Sequence, residues 1–436
     1  MAAAVGRARL TRPLGAITEI AGGRLIAGGL ADKARLGDRV EILSPGIPAG
    51  IPAEVIRVSN GEVLLLAEGS TEGVGTGTPV RLCPPPSFAP DDSWIGRVVD
   101  PDGRPLDGRP LLPGTAERKL AAAPPAPAER RALGSRMATG FALFDTLLPL
   151  VRGQRVGLFA GSGVGKSTLL AGLARNIEAE VVVIGLVGER GRELRHFVEA
   201  VLGPEGMARS VVVAATSDRA PQVRRRCALA ATAVAEHFRA EGCQVLLLLD
   251  SVTRFAEAHR ELAVSSGESA GLRGFPPSTG GAIAALCERA GPGVEEEGDI
   301  TAIYSVLVAG SDMEEPVADM LRGVLDGHVV LDRAIAERGR FPAVDVLRSV
   351  SRSLPDAASD AENLLIGEAR ARLGAYDRAE LMIQAGLYAK GSDPEIDAAI
   401  ATHQPLEAFF ARKGPDTAQH FAALGQALAA GKAKAK

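Results

Sequence analysis

The rhythm of hydrophobic and polar positions changes along the chain. Between about Ala16 and Cys83 the apolar residues fall in short runs, at 16–20, 40–43, 54–58, 63–66 and 79–82, parted by stretches rich in Gly, Asn, Asp and Pro. Runs of that length and spacing predict the strands of a small β-barrel or sandwich. Cys83-Pro84-Pro85-Pro86 ends it, because successive prolines have no N–H to give a ladder. From about Leu133 to Leu331, β-branched runs alternate with Ala-rich helical patterns. The runs 181–184, 211–213 and 245–249 are apolar at every position, as strands covered on both faces require. The alternation predicts an α/β core around a mostly parallel sheet. After about Ser353 the pattern is helical. The chain therefore reads as multidomain: a β-barrel over 1–85, an α/β domain over 86–350, and an α-helical domain over 351–436 with a flexible tail. A Pro- and Gly-rich linker, 84–126, opens the middle domain and carries one strand-and-turn pattern at 96–108.

Composition narrows the classes. The 436 residues are 46% apolar and 23% charged, which suits two to four globular domains at roughly 100–200 residues each. A net charge of −4 lacks the basic excess of a nucleic-acid coat, and 4% aromatics are too few for a base-stacking platform. The longest apolar runs fall far short of the ~20 residues of a membrane span. Cys83, Cys227, Cys243 and Cys287 form no CxxC, the six histidines are dispersed, and no apolar segment follows Arg7, Arg9 and Arg12. Neither a zinc site, a disulfide framework nor a secretion signal is expected, and a cytoplasmic location is.

The densest chemical signal is Ala160-Gly161-Ser162-Gly163-Val164-Gly165-Lys166-Ser167-Thr168, set between an apolar strand at 156–159 and a helical pattern at 169–175. Glycines at 161, 163 and 165 let the backbone curl its N–H groups inward, and the helix beginning there adds its positive end, so the segment can cradle phosphates. Lys166 can reach β- and γ-phosphates and the Ser167 hydroxyl can ligate Mg²⁺. Position 160 is Ala where the strict pattern has Gly. Asp250 closes the apolar run 245–249, and a carboxylate at the C-terminal end of a buried strand reaches the crevice where ligands bind, here as a magnesium holder. Glu189 follows the buried run 181–187 in Gly188-Glu189-Arg190-Gly191-Arg192, at the same sheet edge. It can orient an attacking water, since phosphoryl transfer demands mainly positioning; the other reading is a surface Glu paired with Arg190 or Arg192.

Taken together these stretches resemble the flagellum-specific type III export ATPases, relatives of the catalytic β subunit of rotary F-type ATPases. The likeness continues through Ala215-Thr216-Ser217-Asp218, Asp250-Ser251-Val252-Thr253-Arg254-Phe255-Ala256, Gly274-Phe275-Pro276-Pro277-Ser278, Leu325-Asp326-Gly327-His328 and Pro342-Ala343-Val344-Asp345, and runs from about residue 15 to 412. The resemblance implies a RecA-like P-loop domain that hydrolyses ATP with Mg²⁺. It implies that Lys166 and Ser167 are the phosphate-loop Lys and metal ligand, that Glu189 polarises water, and that Arg190 is its catalytic neighbour. Arg352, in Ser349-Val350-Ser351-Arg352, matches the arginine finger that reaches the adjacent subunit's γ-phosphate; from the residues alone it is an ordinary surface Arg. Phe341 stands where the family usually has a Tyr stacked on adenine, the bland alternative being a core Phe. Gly310-Ser311-Asp312-Met313 departs from the family's Gly-Asp-Asp-Met.

The resemblance also implies a homohexameric ring on the cytoplasmic face of the inner membrane. It implies a coiled-coil stalk in the channel lined by residues 265–281 and the helical domain, a stator-like regulator, export-gate components, and export substrates with their chaperones. The expected function is ATP hydrolysis coupled to export of flagellar subunits; the injectisome ATPase is the runner-up, with Tyr388-Ala389-Lys390-Gly391-Ser392-Asp393-Pro394 leaning flagellar. A non-catalytic ring subunit is opposed by the presence of Lys166 and Glu189. A hexameric nucleic-acid translocase could cite Arg224-Arg225-Arg226, but a charge run of this kind is expected to be a solvated helix face, and no nucleic-acid partner is expected.

Overall fold

A computed structural model describes residues 11–434 except 22, 45–46, 48, 87 and 309–312. Strands β1 (Leu14–Ala21), β2 (Arg24–Gly28), β3 (Arg39–Ile42), β4 (Ile51–Ser59), β5 (Glu62–Ala67) and β6 (Pro79–Leu82) close into an antiparallel barrel in the order β1-β2-β5-β4-β3-β6. Alternate positions fill it, among them Leu25, Ala27, Val40, Ile42, Val55, Val63, Leu65 and Val80. Asn60 and Gly61, at φ 45° and 81°, form the two-residue turn between β4 and β5 that the right-handed twist of a hairpin favours. The sequence pattern does not mark β2, whose short apolar run lies beside glycines; its Leu25 and Ala27 are fully buried.

The middle of the chain forms a nine-stranded sheet from β7 (Arg97–Val99), β8 (Arg155–Ala160), β9 (Val181–Glu189), β10 (Ser210–Thr216), β11 (Val245–Asp250), β12 (Gly291–Pro292), β13 (Asp299–Leu307), β14 (Gly327–Leu331) and β15 (Val344–Ser351). The order is β15-β14-β8-β13-β11-β9-β10-β7, with β12 on β13. Ladders from β14 to β7 are parallel; β15 on β14 and β12 on β13 are antiparallel. The strand expected inside the linker is thus β7, an edge strand of this sheet. Its Arg97 is held by Asp107, with Nε 2.6 Å from Oδ2, so the Pro/Gly-rich stretch is pinned onto the domain.

Helices α1 (Lys166–Asn176), α2 (Pro221–Ala240) and α3 (Val252–Ser266) flank the sheet, and α4 (Asp360–Gln384), α5 (Pro394–Phe410) and α6 (Thr417–Lys434) follow it. Ser359 and Glu362 form a reciprocal capping box that starts α4. The C-terminal helices share one core with the sheet's flank: Phe409, Phe410, Leu424 and Leu428 pack with Phe141, Leu143 and Phe144. A buried pair, His420 Nδ1 to Asp145 Oδ2 at 2.8 Å, fastens α6 there. α6 continues to Lys434, so the Lys/Ala tail is helical that far.

The arginine triplet on α2 is not a solvated face. Arg226 is 6% exposed. It pairs with Glu68 of the barrel and stands 3.7 Å from Glu54, while Arg225 reaches Glu54 at 3.1 Å and Arg224 reaches Glu261 at 2.9 Å. The barrel's carboxylates lie far away along the chain, which a local charge pattern cannot reveal. Gln222 Nε2 adds bonds to Leu66 O and Ala67 O, 3.0 and 3.1 Å, so α2 is the seat of the barrel.

Candidate active site

Strand order alone brings the candidate residues to one edge. β8, β13, β11 and β9 are neighbours running the same way, so the loop after β8, Asp250 at the end of β11 and Glu189 at the end of β9 emerge together. Gly163 and Gly165 hold φ of 78° and 84°, which a side chain would strain. Gly165 is the N-cap of α1, whose first-turn N–H groups lack partners inside the helix. Ser162 and Thr168 are exposed there, and Val164 is buried beneath the loop.

Lys166 Nζ donates to Asp250 Oδ1, and Ser305 Oγ on β13 donates to the same oxygen at 2.6 Å. Asp250 is 4% exposed, so two donors compensate a carboxylate taken out of water. The peptide from Asp250 to Ser251 is cis. A cavity of about 460 Å³ opens beside this pair, lined by Ser167, Glu189, Asp250, Arg192, Glu193 and His196 among others. Burial pushes the Glu189 carboxyl up to about 7; the nearby Asp250 charge and a hydrogen bond with Glu193 push the same way, and Lys166 opposes them. Ser167 and Asp250 offer oxygen donors to one space, and Glu189 faces it with a carboxyl that changes charge near neutrality.

Phe341 also arrives at this edge. Its ring lies 3.2 Å from the point where a Cβ on Gly165 would stand, and half of the residue is exposed. It is therefore not a core residue. Arg190, by contrast, extends into solvent with Nη1 3.1 Å from Glu193 Oε1, and Arg192 rather than Arg190 lines the cavity. Arg352 is not brought to the phosphate loop of its own chain. Leu331, opposite Val344, pairs with Ala160 where the loop begins, whereas Gly327, opposite Ser351, lies at the far end of β14. Arg352 thus sits about 13 Å farther down the sheet at ~3.3 Å per residue. It is exposed, its backbone N–H bonded to Asp326 O at 3.0 Å. Sequence reasoning missed Ser305, Arg192 and Glu193. Ser305 carries no local signal, because only the β11–β13 pairing puts it on Asp250; Glu193 could have been found as the carboxylate one helical turn past Glu189. Residues 310–312 of the departing Gly310-Ser311-Asp312-Met313 lie outside the described residues.

A parallel sheet with a glycine loop, a lysine and two carboxylates at one edge defines a P-loop nucleotide-binding domain. Residues 140–351 match the ATP synthase alpha/beta family, nucleotide-binding domain, and residues 358–430 match the T3SS EscN ATPase C-terminal domain. The flagellum-specific ATP synthase of Caulobacter vibrioides is 43% identical over 92% of this chain and 93% of its own. The type 3 secretion system ATPase of Pseudomonas syringae pv. syringae is 44% identical over 86% of this chain and 85% of its own. The assembled ATPase EscN from the enteropathogenic E. coli type III secretion system superposes with a TM-score of 0.87 at 36% identity, over 95% of this chain and all of that one. EscN in complex with its central stalk EscO gives 0.84, at the same identity and coverage. The chain belongs to the family of flagellum-specific and type III secretion ATPases, and it is an ATPase.

Proposed function

We propose that this chain hydrolyses ATP to drive type III export of flagellar subunits, as a homohexamer with its active sites between subunits. The observation that carries the reading is the convergence of Ser167, Glu189 and Asp250 on one cavity at the start of α1, with Lys166 bonded to Asp250. The residues from Gly161 to Thr168 hold the phosphates through loop amides and the helix's positive end, and Lys166 moves from Asp250 to the β- and γ-oxygens. Ser167 and Asp250 are hard oxygen donors facing the same space, the kind of set Mg²⁺ takes together with substrate phosphates and water. An ion held by them would offset the charge on the phosphate oxygens. Glu189 orients the attacking water in its ionised form, and Arg190, paired with Glu193, orders the segment behind it. Phe341 stacks on the adenine. Arg352, too far down the sheet to serve its own loop, serves the neighbour's and stabilises charge as the transition state forms.

The assembled EscN and its stalk complex support a ring here with a coiled-coil stalk in its channel. A stator-like regulator, export-gate components, chaperones and export substrates complete the set of partners, at the cytoplasmic face of the inner membrane. No helix among the described residues is long and apolar enough to cross a membrane. The injectisome reading is favoured by the Pseudomonas relative; loss of swimming, against loss of effector secretion, in a deletion strain separates the two. The mechanism is tested by ATPase rate against protein concentration for wild type, Lys166→Ala and Arg352→Ala. Upward curvature in the wild type and loss in both variants are expected. A strictly linear dependence with Arg352→Ala fully active would sink the shared site.

A further inference from the structure

The β14–β15 ladder is interrupted just before Arg352. His328 pairs with Val350 and Val330 with Asp345, so residues 346–349 of β15 stand opposite the single Val329. This bulge is wound into a defined turn. Asp345 Oδ1 accepts from the N–H groups of Leu347 and Arg348, 3.0 and 3.1 Å, and Ser349 Oγ donates to Asp345 O while accepting from Val330 N at 3.0 Å. Two carbonyls of the turn face the C-terminal helices. Val346 O and Ser349 O each accept from Arg370 of α4 at 3.2 Å, and the same guanidinium reaches Leu147 O at 3.4 Å.

No carboxylate among the described residues offsets the charge of Arg370. Partial burial of its guanidinium lowers its pKa, and carbonyl dipoles alone compensate the half-buried cation. That arrangement is costly relative to an apolar side chain of similar length, which would pack α4 equally well. What the guanidinium supplies and an apolar group cannot is a fixed hold on two carbonyls of the bulge, anchored by a third bond to Leu147 O outside it. Leu347 within the bulge and Val350 just after it are 37% and 42% exposed, and the exposed Arg352 follows.

We infer that Arg370 is a positioning residue for Arg352: by holding the 346–349 bulge closed, it sets the direction in which the end of β15 presents its guanidinium to the adjoining subunit. The inference rests on the reading of Arg352 as a cation acting in trans. It also ties the C-terminal helices to the neighbouring active site through α4.

The test is made on the full chain with Arg370→Met and Arg370→Lys. Arg370→Met is expected to lower kcat roughly 10–100-fold, the loss that a small misplacement of a reacting group produces. KM for ATP and affinity for a non-hydrolysable ATP analogue should stay within about twofold, and Arg370→Lys should recover part of kcat. Mixed with Lys166→Ala subunits, which retain their own Arg352, Arg370→Met subunits should regain activity. A wild-type kcat in Arg370→Met overturns the inference. So does a mixture that stays inactive while Arg352→Ala with Lys166→Ala regains activity, and that result leaves the shared site standing. If neither mixture regains activity, the shared site itself falls. Should Arg370→Met fail to bind the analogue, Ser349→Ala loosens the same bulge from within, and its failure to regain activity in the mixture overturns the inference in the same way.

Discussion

Ser305 and Lys166 donate to one and the same oxygen, Asp250 Oδ1. In the proposed mechanism the lysine turns to a phosphate, and the serine's bond is then the one left to fix the carboxylate. A hydrogen bond to a buried charge contributes about 1.5–3 kcal/mol. Ser305→Ala should therefore destabilise the fold by about 1–2 kcal/mol and, where ~1 kcal/mol of that appears in the barrier, slow turnover roughly fivefold. Denaturant unfolding and steady-state ATPase assays check the two parts. Unchanged turnover at full metal occupancy would show that the hydroxyl does not orient Asp250 for the reaction.

The raised pKa of Glu189 makes activity depend on pH in a stated direction. Burial and the Asp250 charge favour the neutral carboxyl, so Glu189 is mostly protonated below about 7 and ionised above it. In the proposed mechanism Glu189 orients water in its ionised form. The value of kcat/KM should then rise about tenfold between one pH unit below the midpoint and the plateau, with the midpoint near 7. Glu189→Gln should abolish turnover and remove that limb. The stability consequence has the opposite sense, because a folded pKa above the unfolded one favours folding at low pH and loses that contribution as pH rises through about 7. A wild-type profile that stays flat from one unit below that midpoint to one unit above it would mean that no proton on Glu189 limits the reaction.

Phe341 lies half exposed over Gly165, and under the proposed function its ring is free to stack on the adenine. Ring stacking contributes about 0.5–1.5 kcal/mol beyond burial. Phe341→Ala should raise KM for ATP roughly five- to tenfold with kcat little changed, and Phe341→Tyr should stay close to wild type. Equal losses in kcat and kcat/KM would instead place the ring's contribution in the transition state.

How much of the fold and the site is legible in the sequence depends on how far apart the partners are. The loop around Lys166 and the apolar run ending in Asp250 are local patterns, and residue order alone puts each at its strand end. Leu25 and Ala27 of β2 escape notice because an alternation of two inward residues is too short to stand out between glycines. β13 goes unmarked as a strand because Thr301 and Ser305 interrupt its apolar run, although both are buried. Arg226 misleads because its partners, Glu68 and Glu54, belong to a barrel that meets α2 only in the folded chain. Whether Arg352 serves its own loop or another's cannot be read without the β14–β15 register.

That interdomain cluster carries the last prediction. Arg226 is almost fully buried with Glu68 and Glu54, and Asp102 lies at the edge of its reach, 4.0 Å from Nε. Removing the cation strands Glu68 and leaves Glu54 to Arg225 alone in a place with little water, and breaking such a buried pair costs about 3–5 kcal/mol. Burial already holds the Glu54 carboxyl above its ordinary range, with Arg225 and Arg226 opposing the rise. Without Arg226 that rise must grow, so Glu54 will take up a proton at a higher pH than in the wild type. Arg226→Met should therefore be most destabilised at pH 8 and regain part of the loss at pH 5, where a neutral carboxyl costs less to bury. The double variant Arg226→Met with Glu68→Leu should recover more than either change predicts alone, since the stranded charge is removed with its partner. Urea unfolding at the two pH values measures both effects. A loss in Arg226→Met that is the same at pH 5 and pH 8, with no recovery in the double variant, would mean that the barrel is seated by apolar contact and the Gln222 bonds, with the ion cluster adding nothing.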